Sequence, residues 1–365
     1  MGGEHDAEMA GLGNRREGFD RGWRDLGEEA CPAGALTGKA TYGAAGELVA
    51  VTPANAIIGH GRIDGRKVSV EADDFTIRSG SSESIISEKW LFAERMALEL
   101  KMPLIRLVDT AGGSIRLLEQ QQQTKIPGYP TWPVFQLLGS VPVVGVALGA
   151  CAGLGAIKIA ISHFSVMVRE KSQVFAAGPP VVKQGLNQDV TKEELGGYKI
   201  HSRQSGAVDN EAENEEEALA EVRRFLSYLP RNIWELPTRS PPQDDPERRE
   251  DMLNDSIPRD RRKVYNVRRL RAAVLDKGSI FEIGRNHGGS TVAALCRIDG
   301  YAVGVMANDP LVAGGAMTRA AAQGDRKALR TPGIAFSLGR AIQRPGRHRS
   351  ARHAPDPLRL GRRRL

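Results

Sequence analysis

The sequence predicts an α/β protein built from one unit written twice, with the second copy incomplete. Strands of buried character alternate with glycine bends and helices through the first half, as when helices cover a sheet. The tetrapeptide Arg62-Ile-Asp-Gly65 returns 235 residues later as Arg297-Ile-Asp-Gly300, again between apolar runs. A chain of 365 residues also exceeds the size at which one core usually keeps growing, so two domains are expected.

Each repeat reads as a β-hairpin, over Asn55–Thr76 and Thr291–Leu311, because alternating apolar runs flank an Asp-Gly turn. After the first hairpin, apolar residues recur at three- and four-residue spacing from Ser84 to Lys101, which predicts a helix. Pro103–Asp109 then reads as a buried strand ending in Thr110-Ala-Gly-Gly113, and a Gln-rich helical run follows over Ile115–Thr124. The plan recurs in a strand over Pro142–Gly149, a bend over Ala150–Ala156, a small-residue helix to Ser162 and a strand over Phe164–Arg169. Asp209–Pro230 is expected to be an acidic helix start running into an amphipathic helix, with acids first and Arg223 and Arg224 later to suit the helix dipole. Residues 237–261, rich in Pro, Asp and Arg, read as an exposed linker. Trp90, Phe92 and Met167 are expected in the core.

Composition narrows the function classes. Hydrophobic residues at 41% and charged residues at 26% are those of a globular protein, and 41 glycines imply many tight turns. Cys31, Cys151 and Cys296 show no CxxC spacing, so neither a disulfide framework nor a bound metal is expected. No stretch approaches a membrane span, and the mixed charges of the first thirty residues suit no leader, so a cytoplasmic protein without membrane contact is expected. The net charge of +7 is local: residues 340–365 carry nine arginines against Asp356, which leaves the rest close to neutral and makes nucleic acid an unfavoured partner.

The chemistry-bearing features are the two glycine bends. Each follows a buried strand, and glycine there lets a carbonyl approach paired backbone N–H groups that stabilise a developing oxyanion. The first bend offers Gly112 and Gly113, the second Gly153 to Gly155. His163 and His201 lie nearest these motifs without metal-ligand spacing and read as structural, and Cys151 has no paired base that would make it a nucleophile.

Several segments resemble the carboxyltransferase (beta) subunit of biotin-dependent acyl-CoA carboxylases of the propionyl-CoA type, in the crotonase superfamily. Pro142–Val168 resembles that superfamily's oxyanion-hole strand and helix, and Asp109-TAGGSI-Arg116 the family's DSGGAR-like loop. Similar in the same order are Gly38–Tyr42, Gly61–Gly65, Ala177–Val182, Glu193–Ala207, Tyr228–Ile233 and Gly300–Leu311, so that the resemblance runs from about residue 37 to about residue 320. It implies tandem ClpP/crotonase-like domains, the second incomplete. It also implies transfer of carboxylate from carboxybiotin, carried by a partner protein, to the α-carbon of an acetyl- or propionyl-type acyl-CoA. By resemblance, the thioester enolate is held by Gly112 and Gly113, assisted by Gly153 and Leu154. Arg116, Arg169 and Lys171 are separate candidates for contact with CoA phosphates, with ordinary surface basic residues as the alternative reading. A biotin carboxylase or biotin carrier subunit and a homo-oligomer are the implied partners.

The expected organisation is an atypical segment at 1–36, a crotonase-like carboxyltransferase domain at 37–236, the linker, and a partial second domain at 262–322. An Arg/Pro-rich tail closes the chain at 323–365. By the first copy's spacing, a buried strand and glycine loop are due near residue 344, where Ala341–Leu365 offers neither. The composition shifts abruptly between Gln323 and Arg340, as in an out-of-frame reading of GC-rich coding sequence, so a frameshifted end that impairs turnover is expected, with a genuine basic tail as the rival. The alternatives in function are a biotin-dependent acyl-CoA decarboxylase subunit, a crotonase-type hydratase or isomerase, and a non-catalytic acyl-CoA-binding remnant or assembly protein.

Overall fold

The computed structural model describes residues 28–322 except 35–36, 115–118, 120–128, 242–243, 246 and 261. The expected Gln-rich helix, Arg116 and the basic tail fall outside the described residues. The main sheet begins with β1 (Glu28–Ala33), β4 (Ala56–Ile63) and β5 (Arg66–Asp73), paired antiparallel in the order β1-β4-β5. From β5 it turns parallel through β6 (Leu104–Thr110), β7 (Val143–Ala152), β8 (Phe164–Val168) and β10 (Asn210–Ala212), while the short β9 (Gln173–Phe175) pairs with the end of β7. β2 (Gly38–Tyr42) and β3 (Leu48–Pro53) form a separate exposed hairpin. The second copy contributes β11 (Phe281–Ile283), β12 (Thr291–Ile298) and β13 (Tyr301–Asn308), an antiparallel sheet in that order.

Among the described residues the helices are α1 (Ser87–Glu99), α2 (Val134–Leu138), α3 (Leu154–Ala160), α4 (Pro179–Leu186), α5 (Lys192–Gly196), α6 (Glu215–Ser227) and α7 (Val267–Val274). Helix α6 starts at Asn214, whose side chain accepts from the Glu217 N–H, and three glutamates fill its first turn, which suits the dipole. The sequence-based helix start at Asp209 was too early, because Asn210–Ala212 are drawn into the sheet beside β8. The apolar stripe of α6, with Leu219, Val222 and Phe225, packs on Val146, Phe164 and Val166 of the sheet. Phe281 and Leu295 of the second copy join the same cluster, and Phe281 lies 5.4 Å from Phe164 between ring centroids. Trp90 and Met167 are buried as expected, whereas Phe92 is 52% exposed: it sits on the outer face of α1, opposite Trp90 and Leu91.

The repeat extends well past the tetrapeptide. Asp64 and Gly65 both adopt positive φ, as do Asp299 and Gly300, the turn that an Asp-Gly hairpin requires. Arg62 Nη1 donates to the Gly65 carbonyl at 2.9 Å, and Arg297 Nη1 to the Gly300 carbonyl at 3.0 Å. Beyond the hairpins, Asp74 caps a loop by accepting from the Thr76 N–H at 3.0 Å, and Asp309 does the same for Leu311 at 3.1 Å. Each loop ends in three consecutive left-handed residues, Arg78-Ser79-Gly80 and Ala313-Gly314-Gly315. All these pairs keep the 235-residue offset.

Strand β1 is the first copy's counterpart of β11. It pairs Cys31 with His60 and Pro32 with Gly59, as β11 pairs Phe281 with Leu295 and Glu282 with Ala294. These strand residues stand 250 apart rather than 235, because the first copy has a longer connection there, which forms the hairpin β2–β3.

Candidate active site

Parallel strands β6 and β7 end side by side, and the two glycine bends leave them into one cavity of about 820 Å³. Gly112, at φ +80°, approaches β7 so closely that a Cβ would stand 3.0 Å from both the Cβ and the carbonyl oxygen of Ala152. Gly153, at φ 56° and ψ −112°, begins α3, and a Cβ there would lie 3.9 Å from the Gly112 Cα. The first bend is braced from a third element, since the Ala111 N–H donates to Ser79 at 2.9 Å and the Ser82 N–H to Gly112 at 2.9 Å. Thr110 Oγ1 donates to the Gly80 carbonyl at 2.6 Å, tying the left-handed turn to the end of β6.

The four predicted oxyanion positions come together but differ in what their N–H groups do. The Gly112 N–H donates to Thr110 Oγ1 at 3.1 Å, and the Gly153 N–H to the Phe175 carbonyl at 3.1 Å. Those of Gly113 and Leu154 have no hydrogen-bond partner among the described residues. Sequence reasoning could not separate these pairs, because the Thr110 and Phe175 acceptors are a matter of three-dimensional packing.

Beneath the cavity lies a buried charge network that the sequence did not suggest. Lys158 of α3 reaches Glu71 of β5 at 2.9 Å and sits 4.5 Å over the Trp90 ring. Arg106 of β6 bonds Glu94 of α1 at 2.7 Å and donates to the Lys158 carbonyl at 3.2 Å, fastening the end of α3 to the sheet. Glu94 also accepts from the Trp132 indole. Burial pushes the Glu71 carboxyl up to about 7, while the surrounding carboxylates outweigh the burial of Lys158 and hold its ammonium above the usual range. The only legible signal was charge inside apolar runs, as in Leu104-Ile-Arg-Leu-Val108.

Among the described residues, Asp73, Lys158 and His201 are the titratable side chains lining the cavity, whose apolar wall includes Ile85, Leu154, Ile157, Val174 and Phe175. His201 stands on a π-helical turn over Lys199–Gln204, its Nε2 donating to the Val174 carbonyl at 2.5 Å, and burial lowers its pKa. His163 is away from the cavity: its Nδ1 accepts from the Val143 N–H and its Nε2 donates to Leu138, both at 3.0 Å. Burial pushes it down to about 3. Cys151 is buried with its thiol directed to the Val108 carbonyl, and burial raises its pKa well above the ordinary value, which leaves no thiolate.

Of the basic residues assigned to CoA, Arg169 and Lys171 do not line the cavity. Arg169 pairs with Glu211 at 2.8 Å and with Glu213, and Lys171 pairs with Glu215 at the start of α6. Among the described residues no group of three or more His, Cys, Asp or Glu is placed to hold a metal ion, and no helix is long and apolar enough to cross a membrane.

The family description "Carboxyl transferase domain" matches residues 39–331, ending inside the stretch where composition shifts. A propionyl-CoA carboxylase carboxyltransferase subunit of Haloferax mediterranei is 37% identical over 265 residues, 72% of this chain and 50% of that protein. The alpha subunit of a methylmalonyl-CoA decarboxylase of Veillonella parvula is 32% identical over 263 residues, 72% of this chain and 51% of that one. Among solved structures, hexameric transcarboxylase 12S with methylmalonyl-coenzyme A bound is similar at a TM-score of 0.76 and 27% identity, over 87% of this chain and 62% of that one. The chain thus spans about half the length of the curated relatives it matches. On a family match that covers most of its length, and on a fold shared with transcarboxylase 12S, this chain belongs to the carboxyl transferase domain family.

Proposed function

We propose that this chain is the acyl-CoA-binding part of a propionyl-CoA carboxylase-type carboxyltransferase, acting at the α-carbon of an acetyl- or propionyl-class thioester. One observation carries the reading: the N–H groups of Gly113 and Leu154, from two bends that meet at one cavity, have no partner among the described residues. Donors fixed in this way at the wall of an apolar space stabilise the enolate oxygen as charge develops, because they need no reorganisation. Gly112 and Gly153 serve by shape, since their own N–H groups hold the bends together and the bare Gly112 lets the first bend close on Ala152. The cavity falls in the size range of small-ligand sites, and its apolar wall suits a short acyl chain and the face of a ureido ring. Biotin on a partner carrier protein would supply the carboxylate unit. The chain's own residues bind the thioester, orient its α-carbon and shield the enolate from water.

A biotin-dependent decarboxylase is the second reading, supported by the similarity to the Veillonella parvula subunit; the same enolate and the same donors serve it. Assembly into a homo-oligomer and a cytoplasmic setting belong to this proposal by likeness to the relatives.

Leu154 offers a clean test, because it is the first residue of α3, where proline is tolerated. Leu154→Pro removes the N–H, and Leu154→Ala removes only the side chain. With methylmalonyl-CoA and free biotin, decarboxylation is expected to fall about 10²–10³-fold in L154P and far less in L154A. Equal activity in the two variants would refute the assignment of the donor.

A further inference from the structure

The cavity holds a carboxylate that the transfer chemistry does not use. Asp73 ends β5, beside the end of β6 and next to the first glycine bend. Its Oδ2 accepts from the Asp109 N–H at 3.3 Å, while its Oδ1 has no hydrogen-bond partner among the described residues. The residue is only half-buried, and it lines the same cavity as Gly113 and Leu154.

The internal repeat shows that the fold does not need an acid at this place. The counterpart of Asp73, 235 residues on, is Asn308, which ends β13 as Asp73 ends β5. The Asn308 side chain braces its own turn by donating to the Gly315 carbonyl at 2.6 Å. In the first copy that task falls to Thr110, whose hydroxyl holds Gly80. Asp73 is therefore released from bracing.

We propose that Asp73 is an acid–base residue of this cavity, which exchanges the α-proton of a bound acyl thioester with solvent in the absence of biotin. The inference rests on the acyl-CoA site proposed above. In the step, the Asp73 carboxylate takes the α-proton as the C–H bond breaks. The electron pair moves into the enolate, whose oxygen is held by the Gly113 and Leu154 N–H groups. The carboxylic acid exchanges its proton with water and returns a solvent hydron to the α-carbon, so that no oxidant, reductant or co-reactant is consumed.

The surroundings suit a base that takes and returns a proton. Burial raises the Asp73 pKa above the ordinary carboxylate range, opposed by the Lys158 ammonium and the Asp109 N–H. Asp109, held at about 6 by its own burial and by Asp73, faces it from β6, and the protonated Cys151 thiol lies between β6 and β7. The other titratable lining groups are engaged, Lys158 by Glu71 and His201 by the Val174 carbonyl.

The test uses the full chain with propionyl-CoA in D₂O, without biotin or any carrier protein. Calorimetry reads binding, and mass spectrometry reads deuterium entering the propionyl group. Wild type is expected to bind and to incorporate deuterium. Asp73→Asn, which copies the second repeat, and Asp73→Ala are both expected to bind within a fewfold of wild type and to exchange about 10²-fold more slowly or less. Binding without exchange in wild type would overturn the role of Asp73 and leave the carboxyltransferase site standing, and so would exchange that survives both substitutions. Failure of wild type to bind propionyl-CoA would remove the site itself and the proposal with it.

Discussion

His163 shows how one buried side chain sets a pH limit. Its ring bridges the Val143 N–H and the Leu138 carbonyl in the neutral form, and its folded pKa of about 3 lies far below the unfolded value near 6.5. The unfolded chain therefore takes the proton first as pH falls. Stability from this residue is complete above about pH 6.5 and drops toward pH 3, by up to about 1.4 kcal/mol per pH unit. His163→Gln keeps an acceptor and a donor but cannot titrate. Urea midpoints between pH 4 and 8 are expected to fall less steeply for H163Q than for wild type, and parallel slopes would rule out this source of acid sensitivity. At this scale the two bends were legible through Gly112 and Gly153, whose positive φ favours glycine. The sequence did not identify Asp73, Lys158 or Glu71, whose roles depend on neighbours brought from distant strands.

Elements defined by local chemistry were the most legible. Both Asp-Gly hairpins, the strands β6, β7 and β8, and the helices α1 and α6 follow from periodicity and turn residues within a few positions. Strands β1 and β10 escaped, since six and three residues without alternation become strands only where a neighbouring edge accepts them. The two hairpin turns also differ in surroundings in a way that predicts unequal sensitivity. Gly65 at φ +73° has open space where a Cβ would stand, so Gly65→Ala meets backbone strain alone, about 1 kcal/mol. At Gly300, φ +77°, a Cβ would meet the Ser240 carbonyl at 2.0 Å, and the Ser240 N–H donates to the Gly300 carbonyl at 3.0 Å. Gly300→Ala must also displace residues 239–240, whose Arg239 pairs with Asp299 at 2.8 Å. Chemical unfolding is expected to show G300A as the more destabilised by at least about 1 kcal/mol; equal losses would mean that residues 239–240 yield freely.

The whole molecule is a duplication whose two copies stop at different stages among the described residues. The tetrapeptide made the duplication visible, and the structure carries it through the Asp-capped loops to the left-handed turns. What the sequence could not show is how the copies join: the second-copy residues Phe281 and Leu295 share one core cluster with α6 and with Phe164 of the main sheet, a contact across more than fifty residues. In the first copy the outer edge of β5 is closed by β6, whereas β13 pairs only with β12 among the described residues. The turn at 313–315 nevertheless keeps the form of the turn at 78–80, so this geometry is encoded locally rather than imposed by the bend it braces.

That likeness has a kinetic consequence. While the chain folds, β6 meets two edges of nearly the same shape, its own at β5 and a decoy at β13. Sequence proximity favours the correct edge, but every capture by the decoy must be undone before the cavity can form. Refolding is expected to include a slow phase that prolyl isomerase does not accelerate. Met306 is exposed on β13, and Met306→Lys places a charge that discourages strand addition at little expense to the native state. Stopped-flow refolding of M306K is expected to lose amplitude in that phase with the unfolding rate unchanged. An unaltered slow phase would clear β13 as the decoy, and a diminished one would make the second copy a hazard that the first must outrun each time the protein folds.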